Sequence, residues 1–516
     1  MTVFEDFTAG IATQAPRLVA THSKKYAGLR GAKTAQNVIL DELGVRTAPG
    51  YTRIFDNGFT SAIRGLHWYS QYGGTTPIQQ LFVVAAGNIW VQNVTSWTSL
   101  ASGLTDAAKT RFQTFNGYAI FTNGADPVKQ YNGTTVVDVA FTDAANNPVP
   151  AIYPNDARPS FILKHLNRLF YMGDPKYIDR FWTPDAGTHN IFGNNSDVID
   201  VSVGDGDQLV AAASMKSGVA ILFKTGSIYT MTGSNPTDSA VDPFVIKEFS
   251  SELGCIAPDT VLSIGDEVFF LSQRGFKKLS LTRLGDVTDA DPLHPAKPIM
   301  DTLDISRASE ANACFNAVER LIYLSIPVSG GGTTILMYNI ITEGIMQRTG
   351  FGITNQIYIR SLEKHYFSRV EDPSQTVFRV MQNSIGNTYD GVSFASQWES
   401  LLLATDEMNM RKFFGKFLAY TRFYNGSQIS CGVRLVNVDG SVTTKLLDFG
   451  DTAGLDGWDI GKWDIALWDN ALANVLRQSR VGRGVAISVF FKAAAGAAFF
   501  FDRIELEIEA RGKARR

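Results

Sequence analysis

Short apolar runs separated by turn residues recur along most of the chain. LFVVAAGNIWVQ, GVAILFKTGSIYTMTG and EVFFLSQRGFKKLS each contain two runs rich in β-branched and aromatic residues, with a glycine-containing turn between them. Runs of this length and composition are typical of β-hairpins. Similar pairs of runs extend from about residue 61 to residue 395, and they predict a region built almost entirely from antiparallel strands.

The hairpins recur at a nearly regular distance. One central apolar residue from each hairpin marks the spacing: Phe82, Ile120, Phe170, Ile221, Phe269, Ile322 and Phe367. Successive markers lie 38 to 53 residues apart, and a period near 40 to 50 residues with several strands per unit is typical of β-propeller blades. We therefore predict the all-β class, with a β-propeller of about seven divergent blades over residues 61–395. A β-sandwich is the alternative, because it also places hairpins at short intervals.

The pattern changes after residue 395. Gln397–Met408 predicts a connector with partial helical character, and the following segments alternate between apolar and polar residues. In the last of them Ile504, Leu506 and Ile508 alternate with glutamates that we expect to face water. This period of two is typical of half-buried antiparallel strands. It predicts a separate C-terminal β-sandwich over residues 396–516.

The most apolar stretch of the chain runs from Val485 to Phe501. Lys492 and a group of small residues interrupt it, so the stretch predicts a hairpin rather than a membrane span of about 20 residues. We expect no membrane span in this protein.

The first 60 residues predict a short entry arm of mixed structure. Lys33–Gly44 fits either a short helix or an extended segment, and Pro49-Gly50 predicts a turn after it. The opening MTVFEDFTAG lacks the basic and apolar regions of a signal peptide. We therefore expect synthesis and folding in the cytoplasm.

Composition narrows the class of protein further. Lys and Arg number 47 and Asp and Glu number 50, which gives a formal net charge of −3, and aromatic residues make up 11% of the chain. This balance excludes a disordered chain and lacks the basic excess typical of nucleic-acid-binding domains. Cys255, Cys314 and Cys431 lie far apart in the sequence. We predict three buried apolar residues there rather than a disulfide framework or a zinc site.

The sequence contains few signs of catalysis or metal binding. Its six histidines are scattered, and it has no HExxH, phosphate-loop, GxGxxG or GxSxG motif. Thr183–Asn190 is similar to the Asp-box of sialidase propellers, but Asn190 replaces the final aromatic residue, and we interpret the segment as a turn. Gly204–Asp207 contains two carboxylates without the further ligands of a calcium loop. We therefore predict no catalytic residues, no metal ligands and no cofactor.

One segment stands out by its tryptophans. Trp458, Trp463 and Trp468 recur every five residues in GWDIGKWDIALWD, and each is followed by an aspartate. A spacing of five fits neither a helix face nor a strand face, so the segment predicts a loop whose indoles pack onto the C-terminal sheet. The functional alternative is an aromatic surface that contacts another subunit or a carbohydrate. The three tryptophans are thus the candidate partner-contact residues.

The order of several phrases resembles one protein family. KTAQNVILDELGVRTAPGYTR resembles the N-x-x-x-D-x-x-G-x-x-x-R-P-G opening of the tail hub, or nozzle, proteins of short-tailed bacteriophages, with Ala-Pro-Gly in place of Arg-Pro-Gly. LKHLNRLFYMGDP is similar to the family's H-x-N-R-L-F unit, and ELGCIAPDTVLSIGDEVFFLSQRGF is similar to its G-C-x-A-P-x-S unit. RFQTFNGYAIFTNGADPVKQYNGTTV is similar to the family's second hairpin unit, and GDGDQLVAAASMKSGVAILFKTGSIYTMTG is similar to its stretch in which a Phe-Lys pair precedes a short strand ending in Thr-Gly. The Trp-Asp segment and the last two strands resemble the family's ending, so the similarity spans about residues 30–511.

The resemblance implies a structural virion protein of the phage tail and not an enzyme. Six copies would form a nozzle ring below the portal and its adaptor, carry tail fibres, spikes or a needle, retain the packaged genome and conduct it during ejection. A near-neutral charge fits a channel wall along which DNA passes without tight binding, because basic contacts would attach phosphates in a salt-dependent manner. The alternative function is a carbohydrate-binding or glycan-hydrolysing β-propeller.

Overall fold

Nearly all regular structure in the described part of the chain is β-strand, as the hydrophobic pattern predicts. The structure is a computed structural model, and it describes the following residues: 2–12, 19–20, 31–42, 44–72, 77–148, 153, 156–281, 287–370, 377–384, 388–404, 412–424, 429–447, 472–478 and 481–510.

The described residues of the N-terminal segment contain seven short strands. They are β1 (Thr2–Phe4), β2 (Gly10–Ile11), β3 (Val19–Ala20), β4 (Gly31–Gln36), β5 (Val38–Asp41), β6 (Gly44–Thr47) and β7 (Tyr51–Arg53). Lys33–Gly44, which by its sequence fits either a short helix or an extended segment, is therefore extended, because it contains most of β4 and all of β5. Its buried side chains pack against other strands rather than along one helix face.

Five antiparallel four-stranded sheets follow, which we call blades 1 to 5. Their strands are β8 (Gly65–Gln71), β9 (Ile78–Ala85), β10 (Asn88–Gln92) and β11 (Trp97–Ala101); β12 (Arg111–Phe115), β13 (Tyr118–Thr122), β14 (Lys129–Tyr131) and β15 (Val136–Asp138); β16 (Phe161–His165), β17 (Arg168–Met172), β18 (Arg180–Thr183) and β19 (Asp197–Asp200); β20 (Leu209–Ser214), β21 (Ala220–Lys224), β22 (Ile228–Thr232) and β23 (Val245–Ser250); and β24 (Ala257–Ile264), β25 (Glu267–Ser272), β26 (Gly275–Leu281) and β27 (Val287–Ala290).

Three short helical turns lead into two further blades. The turns are two 3-10 segments (His294–Ala296 and Ile305–Glu310) and α1 (Lys297–Met300). Blade 6 contains β28 (Asn312–Asn316), β29 (Leu321–Pro327), β30 (Thr333–Asn339) and β31 (Ile345–Arg348). Blade 7 contains β32 (Asn355–Ile359), β33 (Lys364–Val370) and β34 (Phe378–Asn383), and β7 supplies its fourth strand.

The seven blades close into a ring. The first strand of each blade contacts the first strand of the next, and β32 contacts β8, so the first strands surround a common axis. Each marker residue of the sequence spacing lies buried on the second strand of a blade. The predicted β-propeller is therefore confirmed, and the β-sandwich alternative for this region is wrong.

Apolar cores lie between neighbouring blades. Separate clusters of buried side chains join blades 7 and 1, 1 and 2, 2 and 3, 3 and 4, and 4 and 5. Such clusters hold the ring together because each blade buries its apolar faces only against its neighbours. One larger cluster extends from blade 5 through blades 6 and 7 into the C-terminal strands.

The N-terminal strand β7 closes the ring at blade 7. It pairs antiparallel with β34, with Arg53 opposite Met381, and the chain then continues directly into blade 1. Tyr51 on β7 is fully buried, and its ring stacks on Tyr389 at 4.7 Å and meets Phe367 edge-on at 5.1 Å. Residues distant in sequence thus share one blade, which fastens the two ends of the propeller together.

In the part of the chain that the structure describes, eleven strands follow blade 7. They are β35 (Thr388–Tyr389), β36 (Val392–Ser393), β37 (Ser396–Ser400), β38 (Leu403–Ala404), β39 (Lys412–Tyr424), β40 (Ile429–Val436), β41 (Val442–Leu447), β42 (Leu472–Gln478), β43 (Gly482–Gly484), β44 (Ala486–Ala493) and β45 (Ala498–Ala510). The segment predicted to have partial helical character contains β37 and β38 instead.

Strands from both ends of the chain form a two-sheet sandwich, which we call the platform. One sheet runs β31-β2-β4-β37-β44-β38-β3, with β40 and β41 beyond β44, and is continuous with blade 6. The other runs β42-β39-β45-β6-β5, with β1 and β43 at its sides. Trp398 of the first sheet meets Phe501 of the second at 5.1 Å, and Phe7 contacts both rings. A β-sandwich that contains the C-terminal strands is confirmed. It is not separate as predicted, because strands of the N-terminal segment complete both sheets and one sheet continues into blade 6. The boundaries at 60/61 and 395/396 stay a prediction.

The predicted hairpin of Val485–Phe501 is wrong. Its two strands, β44 and β45, lie in opposite sheets of the platform and do not pair with each other. Instead Phe491 of β44 stacks on Phe501 of β45 at 4.2 Å across the core. The strands therefore contact through side chains rather than backbone hydrogen bonds, which buries the apolar faces of both.

The glutamate face of β45 is less open to water than its alternation predicts. Glu505 is buried, and its carboxylate accepts a hydrogen bond from the Tyr420 hydroxyl and pairs with Arg503 at 2.6 Å. Glu507 accepts a hydrogen bond from the backbone amide of Lys416. Neighbouring strands thus use these carboxylates as hydrogen-bond acceptors.

Replacing Tyr51 by alanine tests the closure of the ring. We expect Tyr51→Ala to lower the free energy of unfolding by about 3–5 kcal/mol, because it removes a fully buried ring between β34 and β35. Urea denaturation measures the loss. Tyr72→Ala is the control, since the Tyr72 side chain is 64% exposed. Similar losses in both variants would show that the closing strand has no special role.

Candidate functional sites

The predicted partner-contact residues lie outside the described part of the chain. Trp458, Trp463 and Trp468 belong to residues 448–471, for which the structure gives no placement. Their role as a subunit or carbohydrate contact therefore stays a prediction.

The Asp-box-like segment forms a turn between β18 and β19 that is bound from within. The Asp185 carboxylate accepts hydrogen bonds from the backbone amides of Gly193 and Asn195, both at 3.1 Å. The buried Arg168 guanidinium binds the carbonyl of Pro184 and the side-chain oxygen of Asn195. These contacts fix the turn and leave Asp185 engaged with the backbone, in agreement with its interpretation as a turn.

The Gly204–Asp207 segment lies beside a buried lysine, whose ammonium Asp205 contacts. The side chain of Lys224 is fully buried, and its Nζ lies 2.7 Å from both Asp179 Oδ1 and Asp205 Oδ2 and 3.2 Å from the Ser202 carbonyl. Burial alone would lower the pKa of Lys224, but the hydrogen bonds that its ammonium donates to the two carboxylates raise it. The Asp207 carboxylate binds backbone amides of the loop after β21. In place of a metal ion, the chain supplies its own cation.

Four histidines are held neutral inside the propeller. Burial lowers the pKa of His67, His165 and His189 to about 4, and the pKa of His365 to about 3 with a contribution from Arg348. They lie on separate blades or connecting turns and do not share one site.

His365 illustrates how such a ring is bound. Its Nε2 lies 3.1 Å from Gln356 Oε1, and the amide nitrogen of Gln356 donates to the carbonyls of Asn312 and Tyr323. The oxygen of that amide therefore faces the imidazole, so His365 Nε2 carries the proton and donates it. The arrangement joins β28 and β29 of blade 6 to β32 and β33 of blade 7.

The three cysteines are buried and unpaired, as the sequence predicts. Burial raises the pKa of the Cys255 and Cys314 thiols to about 12 and that of Cys431 well above its usual range. Because the thiolate is the reactive form, these thiols are inert core residues.

A cluster of charged residues lies at one end of the propeller axis. Lys109 Nζ is 2.7 Å from Asp259 Oδ2, and Arg111 Nε is 2.6 Å from Asp259 Oδ1. We call these three residues the axial cluster. The sequence gives no sign of it, because Asp259 follows its partners by about 150 residues and no motif links them.

The surface of the described part of the chain includes clefts of about 650, 500 and 430 Å³. The first lies over the Lys224 site and includes Asp207, whose carboxylate is bound to backbone amides. The third lies between blade 7 and the platform and is lined by Asn37, Tyr389 and Lys492 among others. The Asn37 side chain there is fully hydrogen-bonded to Thr349, Tyr389 and the Ala395 carbonyl.

Among the described residues, no three His, Cys, Asp or Glu side chains converge so as to hold a metal ion. No helix in that part of the chain is long and apolar enough to cross a membrane.

Comparisons with known proteins give no family for this chain. No protein-family model and no curated protein matches it. Among solved structures it is similar to BBS1N in complex with ARL6DN (TM-score 0.40, 10% identity, 65% of this chain and 98% of that chain). It is also similar to the computationally designed Ika8 protein (0.34, 11%, 68% and 97%) and to a proposed 6-phosphogluconolactonase from Bacteroides fragilis NCTC 9343 (0.33, 10%, 63% and 95%). At these TM-scores the similarities carry no argument about function.

Replacing Lys224 by methionine tests the internal cation. We expect Lys224→Met to lower the free energy of unfolding by about 3–5 kcal/mol, because it leaves the carboxylates of Asp179 and Asp205 without their counter-charge. Lys278→Met is the control: Lys278 pairs with Glu267 at 2.8 Å but both side chains are partly exposed, so we expect a loss of about 0–1 kcal/mol. Urea unfolding measures the loss in both variants. Equal losses would contradict the role of Lys224 as the internal counter-charge.

The buried histidines predict loss of stability in mild acid. Each binds its proton near pH 6.5 when unfolded but only near pH 3 to 4 when folded. The free energy of unfolding therefore has its full value above about pH 6.5. At lower pH it decreases by up to about 1.4 kcal/mol per pH unit for each histidine.

Unfolding in urea from about pH 7.5 to 4.5 measures that slope. We expect His365→Gln, which keeps a donor toward Gln356, to give a shallower slope than the unsubstituted protein. His294→Gln is the control, because the His294 side chain is exposed. An unchanged slope in His365→Gln would show that His365 does not contribute to the loss of stability in acid.

Proposed function

We propose that this protein is a structural virion protein that forms the nozzle ring of a short phage tail, where it extends the DNA channel, retains the genome and conducts it during ejection. Six copies, the tail adaptor above and fibres, spikes or a needle below are the partners of this proposal. The proposed role is structural and not enzymatic.

The observation that carries the proposal is the place of the first family-like phrase in the fold. KTAQNVILDELGVRTAPGYTR forms β4 to β7, which belong to both platform sheets and to blade 7. Asn37 has a positive φ of 53° and binds blade 6 through Thr349, and Gly44 has a φ of 136° that favours glycine. A side chain at Gly44 would place its Cβ 2.3 Å from the Phe501 carbonyl.

The end of the phrase is equally constrained. The Pro49 carbonyl accepts a hydrogen bond from the buried Arg348 guanidinium, which also lies 5.6 Å from the centre of the Tyr389 ring. The Gly50 carbonyl accepts a hydrogen bond from the Ser384 amide. The residues of this first phrase thus join the propeller to the platform, which is a physical reason for a family to share them.

The connection between the propeller and the platform supports a load-bearing role. Blade 6 and the platform share one continuous hydrogen-bonded sheet and one apolar core. A wall that holds pressurised DNA needs protomers that do not bend at a hinge, and a shared sheet and core resist bending because packed interiors are stiff. The propeller and the platform are therefore suited to act as one body.

Exposed apolar side chains on the platform support a ring. Val438, Val442 and Leu446 lie on or beside the β40–β41 hairpin and are 56–71% exposed. Apolar residues that protrude together are typical of protein contact surfaces. We propose that this hairpin contributes to contacts between subunits.

Particle symmetry tests the proposal. The full chain is expressed alone and together with the portal and adaptor proteins of the same genome, and its mass and shape are measured by mass photometry and electron microscopy. We expect a sixfold ring with an axial pore, alone or on the adaptor. We also expect Leu446→Glu to reduce ring formation, while Val94→Glu, at an exposed position on blade 1, does not.

Other outcomes contradict the proposal. A chain that stays monomeric with the adaptor, together with virions that lack matching ring density, would overturn it. Specific binding on a glycan array, or loss of polysaccharide viscosity on incubation, would favour the carbohydrate-active alternative. We place that alternative second because Asp185, the carboxylate of the Asp-box-like turn, is occupied by backbone amides.

A further inference from the structure

We infer that the axial cluster is a built-in plug: Lys109 and Arg111 of blade 2 and Asp259 of blade 5 meet across the propeller axis and close the mouth of its central channel. The carboxylate of Asp259 takes the place that an anionic ligand would otherwise occupy there. This inference goes beyond the proposed ring and does not depend on it.

The order of the blades places the two sides of the cluster opposite each other. In a closed ring of seven, blades 2 and 5 are separated by two blades on one side and three on the other. Their first strands surround the axis, and Asp259 lies on the first strand of blade 5. A contact of 2.7 Å between side chains of these blades therefore crosses the channel.

The remaining contacts show that the cluster lies at the end where the first strands begin. Lys109 Nζ also binds the Ser309 carbonyl at 2.9 Å, just before β28 of blade 6. Arg111 Nη1 binds the Ser160 carbonyl at 3.1 Å, just before β16 of blade 3. The cluster thus ties the start of blades 2 and 3 to the start of blades 5 and 6.

Burial and charge make this a tight contact. The side chains of Lys109, Arg111 and Asp259 are only 19–25% exposed. Burial alone would raise the pKa of Asp259, but Arg111 and Lys109 hold it at about 2. Asp259 is therefore ionised at neutral pH, and one carboxylate shares two cations.

The axial cluster has two cations and one carboxylate, and this excess of positive charge predicts what the channel mouth would bind if the carboxylate were removed. Replacing Asp259 by alanine removes the only carboxylate of the cluster and leaves an ammonium and a guanidinium that point toward the same place. Two converging cations bind carboxylates and phosphates through charge-assisted hydrogen bonds. The vacated site is therefore expected to accept a small carboxylate in place of the missing side chain.

Chemical rescue of the full chain tests the inference. The melting temperature of Asp259→Ala is measured in sodium acetate and in sodium chloride at equal ionic strength. We expect Asp259→Ala to melt several degrees lower than the unsubstituted protein in chloride and to recover part of the loss in acetate. The unsubstituted protein is expected to melt at the same temperature in both salts.

Asp200→Ala is the matched control. Asp200 makes a two-contact pair with Arg180 at 2.7 and 2.8 Å, but both residues belong to blade 3 and lie at its surface. We expect a small fall in melting temperature that acetate does not reverse. An equal effect of acetate on both variants, or none on Asp259→Ala, would overturn the inference.

Hydrogen exchange tests the crossing of the axis and includes a milder variant. We expect Asp259→Ala, and to a smaller extent Lys109→Met, to raise amide exchange in both β12 and β24 while β15 and β27 at the rim stay unchanged. Lys109→Met keeps the pair between Arg111 and Asp259, so it leaves a folded protein to measure if Asp259→Ala unfolds. If amide exchange rises in only one of β12 and β24 in the variants that fold, that result would also refute a plug.

Discussion

The pairing of β4 is the constraint on which the rest of the structure depends. This strand hydrogen-bonds to β31 of blade 6 and to β2 in parallel, and to β37 of the platform in antiparallel orientation. The chain then forms β5 and β6 in the opposite platform sheet and β7 in blade 7 before the propeller begins. One short stretch near the N-terminus therefore fixes the distance and orientation between all the parts that follow.

Charged groups inside the molecule serve its architecture. The Lys224 ammonium, the Arg168 guanidinium and the Asp259 carboxylate each meet partners from the chain itself, at distances of 2.6–3.2 Å. A buried charge without such partners costs several kcal/mol, so each of these residues holds its neighbours in one arrangement. This use of buried charge agrees with a protein whose proposed role is to keep a shape.

The hydrophobic pattern predicts the propeller well because each blade is local. Strands of a blade follow one another along the chain and pair through short turns, so a run, a turn and a run already specify them. The marker residues, such as Phe170 and Ile322, lie on the second strand of each blade and are fully buried. Where pairing is not local, the pattern misleads: Lys33–Gly44 also fits a helix, and Val485–Phe501 also fits a hairpin.

The sequence by itself determined the all-β class, the sevenfold hairpin repeat, the change of texture after residue 395 and the buried cysteines, because each depends on the local order of apolar and polar residues. Only the tertiary structure decided which distant residues meet. It brings β7 to blade 7, sets β44 and β45 in opposite sheets, and joins Lys109 to Asp259 across the axis. Closing a ring places residues about 150 positions apart within hydrogen-bond distance, and no local pattern records such a contact.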